Sequence, residues 1–117
     1  MTLRSAAVVA TLVSGILALA PAVPAAGGAE VDAAAVYADK CVACHGETGA
    51  PTPPFAKRGV KDLSDPAWQK SRTDEQIRES IAKGAEETLM RAFDRELDGD
   101  QIDALVTFVR SLDREGS

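Results

Sequence analysis

The chain has 117 residues, with 13 Lys and Arg against 18 Asp and Glu and a net charge of −5 at pH 7, a balance that argues against nucleic acid as a partner because phosphates attract basic surfaces. One Trp, one Tyr and three Phe leave a small domain with a thin core if it has only side chains to bury. Two cysteines and one histidine in the whole sequence fall one ligand short of a closed zinc site.

In chain order, the N-terminus resembles an export signal. Arg4 supplies its positive end, Ala6 to Ala20 runs without a charge, and Pro21 to Gly27 is a small-residue stretch suited to signal peptidase, with cleavage after Ala25 or after Gly27. The apolar run is shorter than the ~20 residues of a spanning helix, and an uncleaved anchor is the alternative. Residues 1–25 are thus predicted to be a secretory signal peptide and 26–117 one domain, placed in the bacterial periplasm. Without Arg4 the mature chain has 12 basic and 18 acidic residues, a charge of −6. A basic docking face on a partner would complement it.

After a flexible lead-in to Glu30, Val31, Ala34, Ala35, Ala38, Cys41 and Val42 share one helical stripe, and Gly46 is a natural stop. Glu47 to Asp65, with Gly49, Pro51, Pro53, Pro54 and Gly59, is predicted to be a loop, one that packs if Phe55 and Leu63 cover a cofactor. Asp65-Pro66-Ala67-Trp68 is a short helical turn with Asp65 as cap. Thr73-Asp74-Glu75-Gln76 opens a helix with a capping box that ends at Lys83 and Gly84. Asp98 caps a final helix whose apolar stripe is Ile102, Leu105, Val106, Val109 and Leu112. Nothing suggests a strand. The expectation is an all-α domain of about four helices with long loops, reasonable when they wrap a large planar group.

Cys41-Val42-Ala43-Cys44-His45 is the attachment signature of c-type haem. The thiols lie about one helical turn apart, so both can add across the two vinyl groups, and the histidine then reaches the iron. A thioredoxin-like dithiol would call for βαβ patterning, which is missing, and zinc would make Cys44 and His45 awkward tetrahedral neighbours. A haem buried in the domain would also supply the apolar surface that the side chains lack.

With no second histidine, Met90 is the candidate sixth ligand, 45 residues after His45. A thioether there favours ferrous iron and raises the potential. The competing reading makes Met90 core filler, since Leu89, Met90, Phe93 and Leu97 fit a helical face. Lys83, the other nearby candidate, would have to lose its proton to bind.

From Val31 to Leu112 the sequence resembles the class I c-type cytochromes. The match rests on Tyr37 four residues before Cys41, then CVACHG, then Ile81, Gly84, Met90, Ala92 and Phe93, then a last helix ending Val109-Arg110-Ser111-Leu112. The resemblance implies a small cytochrome c fold whose first and last helices cross, with Ala33 allowing close approach and Phe108 packing on the Ala33 and Tyr37 side. It implies that the Pro54 carbonyl, or that of Pro53, accepts the ring N–H of His45 and tunes its basicity. It also implies that Trp68 either donates to a haem propionate or packs beside it. Lys57, Arg58 and Lys61 are read as a solvated cluster rather than propionate partners. Arg91 stands where the family usually has proline, which leaves Glu86 to Leu97 free to be more helical or more mobile.

The sequence therefore predicts a monomeric, exported, soluble carrier of one haem c. Cys41 and Cys44 form thioethers, and His45 and Met90 are the iron ligands. It would pass single electrons between larger redox proteins (a dehydrogenase, an oxidase or a cytochrome complex) and perform no bond chemistry of its own. The alternatives are a gas-binding or sensing haem protein with a labile Met90, or an electron-transfer subunit of a larger oxidoreductase.

Overall fold

A computed structural model describes residues 2–3, 6–19 and 30–116. Arg4 and the proposed cleavage segment around Val23 to Gly27 lie outside the described residues. Residues 6–19 carry no regular secondary structure and are exposed. Among the described residues no helix is long and apolar enough to cross a membrane.

The described residues from Glu30 onward hold six helical segments and no strand: α1 (Ala33–Lys40), α2 (Val42–His45), α3 (Pro53–Lys57), α4 (Pro66–Ser71), α5 (Asp74–Lys83) and α6 (Gly99–Ser111). The first predicted helix is broken once, at Cys41. Asp32 caps α1 by accepting the Ala35 N–H at 3.0 Å, and the Cys41 N–H still donates to Tyr37 at 2.8 Å. α2 ends at Gly46, whose φ of 76° suits glycine. A Cβ there would also collide with the Ala50 carbonyl.

The five-residue α3 corrects the expectation of an uninterrupted loop over Glu47 to Asp65. Paired Pro53 and Pro54 fill its first turn, where a missing N–H does no harm. The same prolines had suggested a loop. The other starts fall where the sequence puts them. Asp65 caps α4 through the Ala67 N–H, and reciprocal capping boxes open α5 (Thr73 with Gln76) and α6 (Asp98 with Gln101).

α6 is the spine. Its buried stripe of Ile102, Leu105, Val106 and Val109 packs against both α1 and α5, with Leu105 1% exposed. Tyr37 of α1 and Phe108 of α6 pack with ring centroids 4.9 Å apart and planes tilted by 43°, at the helix crossing that the resemblance implies. Ile77 and Ile81 bring α5 onto the same core.

Glu86 to Leu97 is not helical. The chain leaves α5 at Gly84 and turns back on it, with the Phe93 and Asp94 N–H groups donating to Ile81 and Ala82 at 3.0 and 3.1 Å. That overturns the helical face of Leu89, Met90, Phe93 and Leu97. Phe93 and Leu97 are buried, whereas Leu89 is 48% exposed.

Candidate functional site

These elements enclose a cavity of about 580 Å³, within the range of cofactor sites. Its walls include Cys41, Cys44 and His45 from the α1–α2 region, Trp68 from α4, and Met90 from the loop after α5. Five of the six residues singled out from the sequence thus meet at one place. Among the described residues, seven of the eleven buried core side chains also line it: Tyr37, Leu63, Ile77, Ile81, Phe93, Leu105 and Val109. At most 8% exposed, these side chains pack on one another and form the inner wall of the cavity.

Cys41 and Cys44 are not paired in a disulfide. Burial pushes the Cys41 thiol up to about 11, an effect that nearby Lys40 and Arg91 only partly offset. Among the described residues no three His, Cys, Asp or Glu side chains are grouped to hold a metal ion.

The His45 imidazole is half-buried, and burial holds its pKa below the ordinary histidine value against the opposing pull of a backbone hydrogen bond. That bond runs from Nδ1 to the carbonyl of Lys61, at 3.0 Å. It defines Nδ1 as the protonated nitrogen and leaves Nε2 with the lone pair a metal requires. Here the structure corrects the expectation for Pro54, and for Pro53. Both are exposed in the first turn of α3 and neither lines the cavity. The acceptor comes from the segment after α3, where no side chain advertises it in the sequence.

Tyr37 donates its hydroxyl to the Gly46 carbonyl at 2.7 Å, tying α1 to the residue that follows His45. Its burial, with Cys41 adding to the effect, pushes the phenol up to about 12, so it remains a donor at any ordinary pH.

Met90 is held by its own loop. The Ala85 N–H donates to the Met90 carbonyl at 3.1 Å. Thr88 bridges the turn, its hydroxyl donating to Ala85 O at 2.7 Å and accepting the Met90 N–H at 3.1 Å. Thr88 also lines the cavity. Sequence reasoning missed it, since a lone threonine between Glu87 and Leu89 carries no pattern. Arg91 is anchored rather than loose: its guanidinium sits 4.1 Å from the Phe93 ring centroid and 3.2 Å from the Glu96 carboxylate.

The charged residues at the cavity are Lys40, Arg58, Lys61, Arg72, Arg91 and Glu86, five basic and one acidic in a chain that is acidic overall. Lys57 does not line it, and Phe55 instead lies under Arg58. Two thiols a helical turn apart, an imidazole with one nitrogen free, a thioether, apolar walls and cations at the edge are together a donor set that fits a haem with its carboxylates.

Comparison with known proteins points the same way. The family described as cytochrome c oxidase, cbb3-type, subunit III, matches residues 28–109. The cbb3-type cytochrome c oxidase subunit FixP of Bradyrhizobium diazoefficiens is 35% identical over 86 residues, which are 66% of this chain and 28% of that protein. Less than a third of FixP is therefore represented. Among solved structures, the KustC0563 c-type cytochrome shares 33% identity at a TM-score of 0.66, covering 72% of this chain and 100% of that one. A Tyr-to-Phe mutant of Kustc0563 superimposes with a TM-score of 0.64 at 33% identity, covering 70% of this chain and 99% of that one.

Proposed function

Because the chain belongs to the c-type cytochromes, in the family of cbb3-type cytochrome c oxidase subunit III, and carries covalently bound haem c, we propose that it is a one-electron carrier between periplasmic redox proteins. Cys41 and Cys44 would hold the haem through thioethers, and His45 Nε2 and the Met90 thioether would ligate its iron. The haem supplies the one-electron ferric–ferrous couple. The chain's own residues hold it, exclude water and set its electrostatics. Lys61 orients His45 through its carbonyl, Thr88 and Ala85 hold Met90, and Arg58, Lys61 and Arg72, which line the same cavity as Trp68, would balance the charge of the haem propionates. The charge of −6 left once Arg4 is removed with the signal segment favours a partner with a basic docking face.

The observation that carries this reading is that Cys41, Cys44, His45 and Met90 line a single, mainly apolar cavity. A second reading, as the electron-transfer subunit of a larger oxidoreductase, draws on the likeness to FixP. Co-purification with a larger complex separates the two.

The deciding experiment is an absorption spectrum from the visible to the near infrared, on protein matured in a host with cytochrome c biogenesis. Ferric, ferrous, and ferrous plus carbon monoxide samples are needed. The expected result is a low-spin c-type spectrum with the weak sulfur-to-iron band, unchanged by carbon monoxide. A high-spin spectrum or ready carbon monoxide binding would replace this reading with a ligand-binding or sensing protein.

A further inference from the structure

We propose that Arg114, acting through Asp62, is a positioning residue for the His45 imidazole, and so helps to set the reduction potential. The inference rests on the reading of His45 as an iron ligand.

The Lys61 carbonyl that accepts from His45 Nδ1 belongs to an exposed residue, so its placement falls to the neighbouring backbone. On the upstream side, the Val60 N–H donates to Phe55 O at 3.1 Å. Downstream, the Asp62 carboxylate closes a tight turn, accepting the Ser64 N–H at 2.9 Å and the Ser64 hydroxyl at 2.6 Å. Arg114 lies beyond the end of α6 and latches onto this turn three times. Its Nη1 reaches Asp62 Oδ2 and Ser64 Oγ, both at 3.0 Å, and its backbone N–H donates to Ser64 O at 3.0 Å. The next residue, Leu63, is pinned separately: its carbonyl accepts from buried Gln69 at 2.7 Å, and its N–H donates to Gly49 O at 2.9 Å.

Magnitude decides what the latch is for. The Asp62 and Arg114 side chains are 35% and 57% exposed, and ion pairs that exposed add little to stability. Their geometric effect is larger, because Asp62 is the residue directly after the carbonyl that orients His45. A firm bond at Nδ1–H makes an imidazole a more basic ligand. More basic ligands favour ferric iron and lower the potential. Loosening the latch should therefore raise it.

The test uses the matured holoprotein and the variants Arg114→Ala, Arg114→Lys, Asp62→Asn and Arg78→Ala. The last removes a comparably exposed pair, Arg78–Asp103 at 2.7 Å, between α5 and α6, away from His45. Each is read by its visible spectrum, its midpoint potential, and the exchange rate of the His45 Nδ1 proton by NMR of the ferrous form. Arg114→Ala and Asp62→Asn should shift the ferric–ferrous balance about threefold towards ferrous, about 28 mV at 59 mV per tenfold for one electron, and speed exchange of the Nδ1 proton. Arg114→Lys should recover part of both changes, and Arg78→Ala should leave both at the wild-type values. An unchanged potential and exchange rate in low-spin Arg114→Ala and Asp62→Asn would overturn the proposal. So would an equal shift in Arg78→Ala. A wild-type spectrum without low-spin histidine ligation would instead overturn the ligand assignment, and this inference with it.

Discussion

Gly84 and Met90 approach so closely that a Cβ at position 84 would stand 2.7 Å from the Met90 carbonyl oxygen and 3.0 Å from the Ala92 nitrogen. The Gly84 backbone, at φ 80° and ψ 173°, also occupies a region nearly closed to other residues. The methionine loop thus folds back onto the end of α5 across a residue that has no side chain. Gly84→Ala is expected to cost about 2 kcal/mol, lowering the melting temperature of the holoprotein by roughly 10 °C. The same variant should begin to bind carbon monoxide, as the loop moves to relieve the contact.

Thr88 makes a narrower test of the same loop. Its hydroxyl bridges Ala85 O and Met90 N, and Thr88→Val keeps the shape while removing both bonds. Losing about 1 kcal/mol of loop order should raise the fraction of molecules with Met90 off the iron about fivefold. Carbon monoxide association with the ferrous form, followed by stopped flow, reports that fraction. A rate equal to the wild type's would mean that the Thr88 bridge does not hold the loop.

How far the sequence disclosed this arrangement depended on the kind of signal. Caps and stripes are local, so Asp65, Thr73, Asp98 and the α6 stripe were legible from spacing alone. Cys41, Cys44 and His45 stand together in the chain, and their meeting follows from one turn of helix. The partner of His45 was not legible, because any residue can offer a carbonyl and only the path of the chain selects Lys61. Arg91 shows the reverse. Without the proline the sequence allowed helix or mobility, and the choice fell to tertiary partners, the Phe93 ring and the Glu96 carboxylate, which no periodicity reveals.

Since Tyr37, Leu63, Ile77, Ile81, Phe93, Leu105 and Val109 all face the cavity, the cofactor and the core should be stable only together. An unfilled cavity destabilises in proportion to its volume, and one of about 580 Å³ is far larger than the roughly 150 Å³ left by truncating a single core side chain. The Cys41→Ala, Cys44→Ala double variant, produced without covalent haem, is expected to lose its cooperative thermal transition and its near-ultraviolet dichroism. A sharp transition near that of the holoprotein would show that the core closes without the cofactor.

Asp62 gives the fold an acid sensitivity whose sign can be worked out. Burial alone would raise its carboxyl, but the Ser64 hydroxyl, the Ser64 N–H and Arg114 outweigh that and hold it below the ordinary value of 3.8. A carboxyl held low in the folded state binds its proton more weakly there than in the unfolded chain. Its contribution is therefore present above the unfolded value and fades as pH falls through the folded one. Partial exposure keeps the amount small, under about 1 kcal/mol. Denaturant titrations of wild type and Asp62→Asn should accordingly differ at pH 7 and converge towards pH 3. A gap that stayed constant over that range would assign the difference to packing, not to the carboxylate charge. A gap that widened on acidification would reverse the sign and rule out the Ser64 and Arg114 contacts as its source.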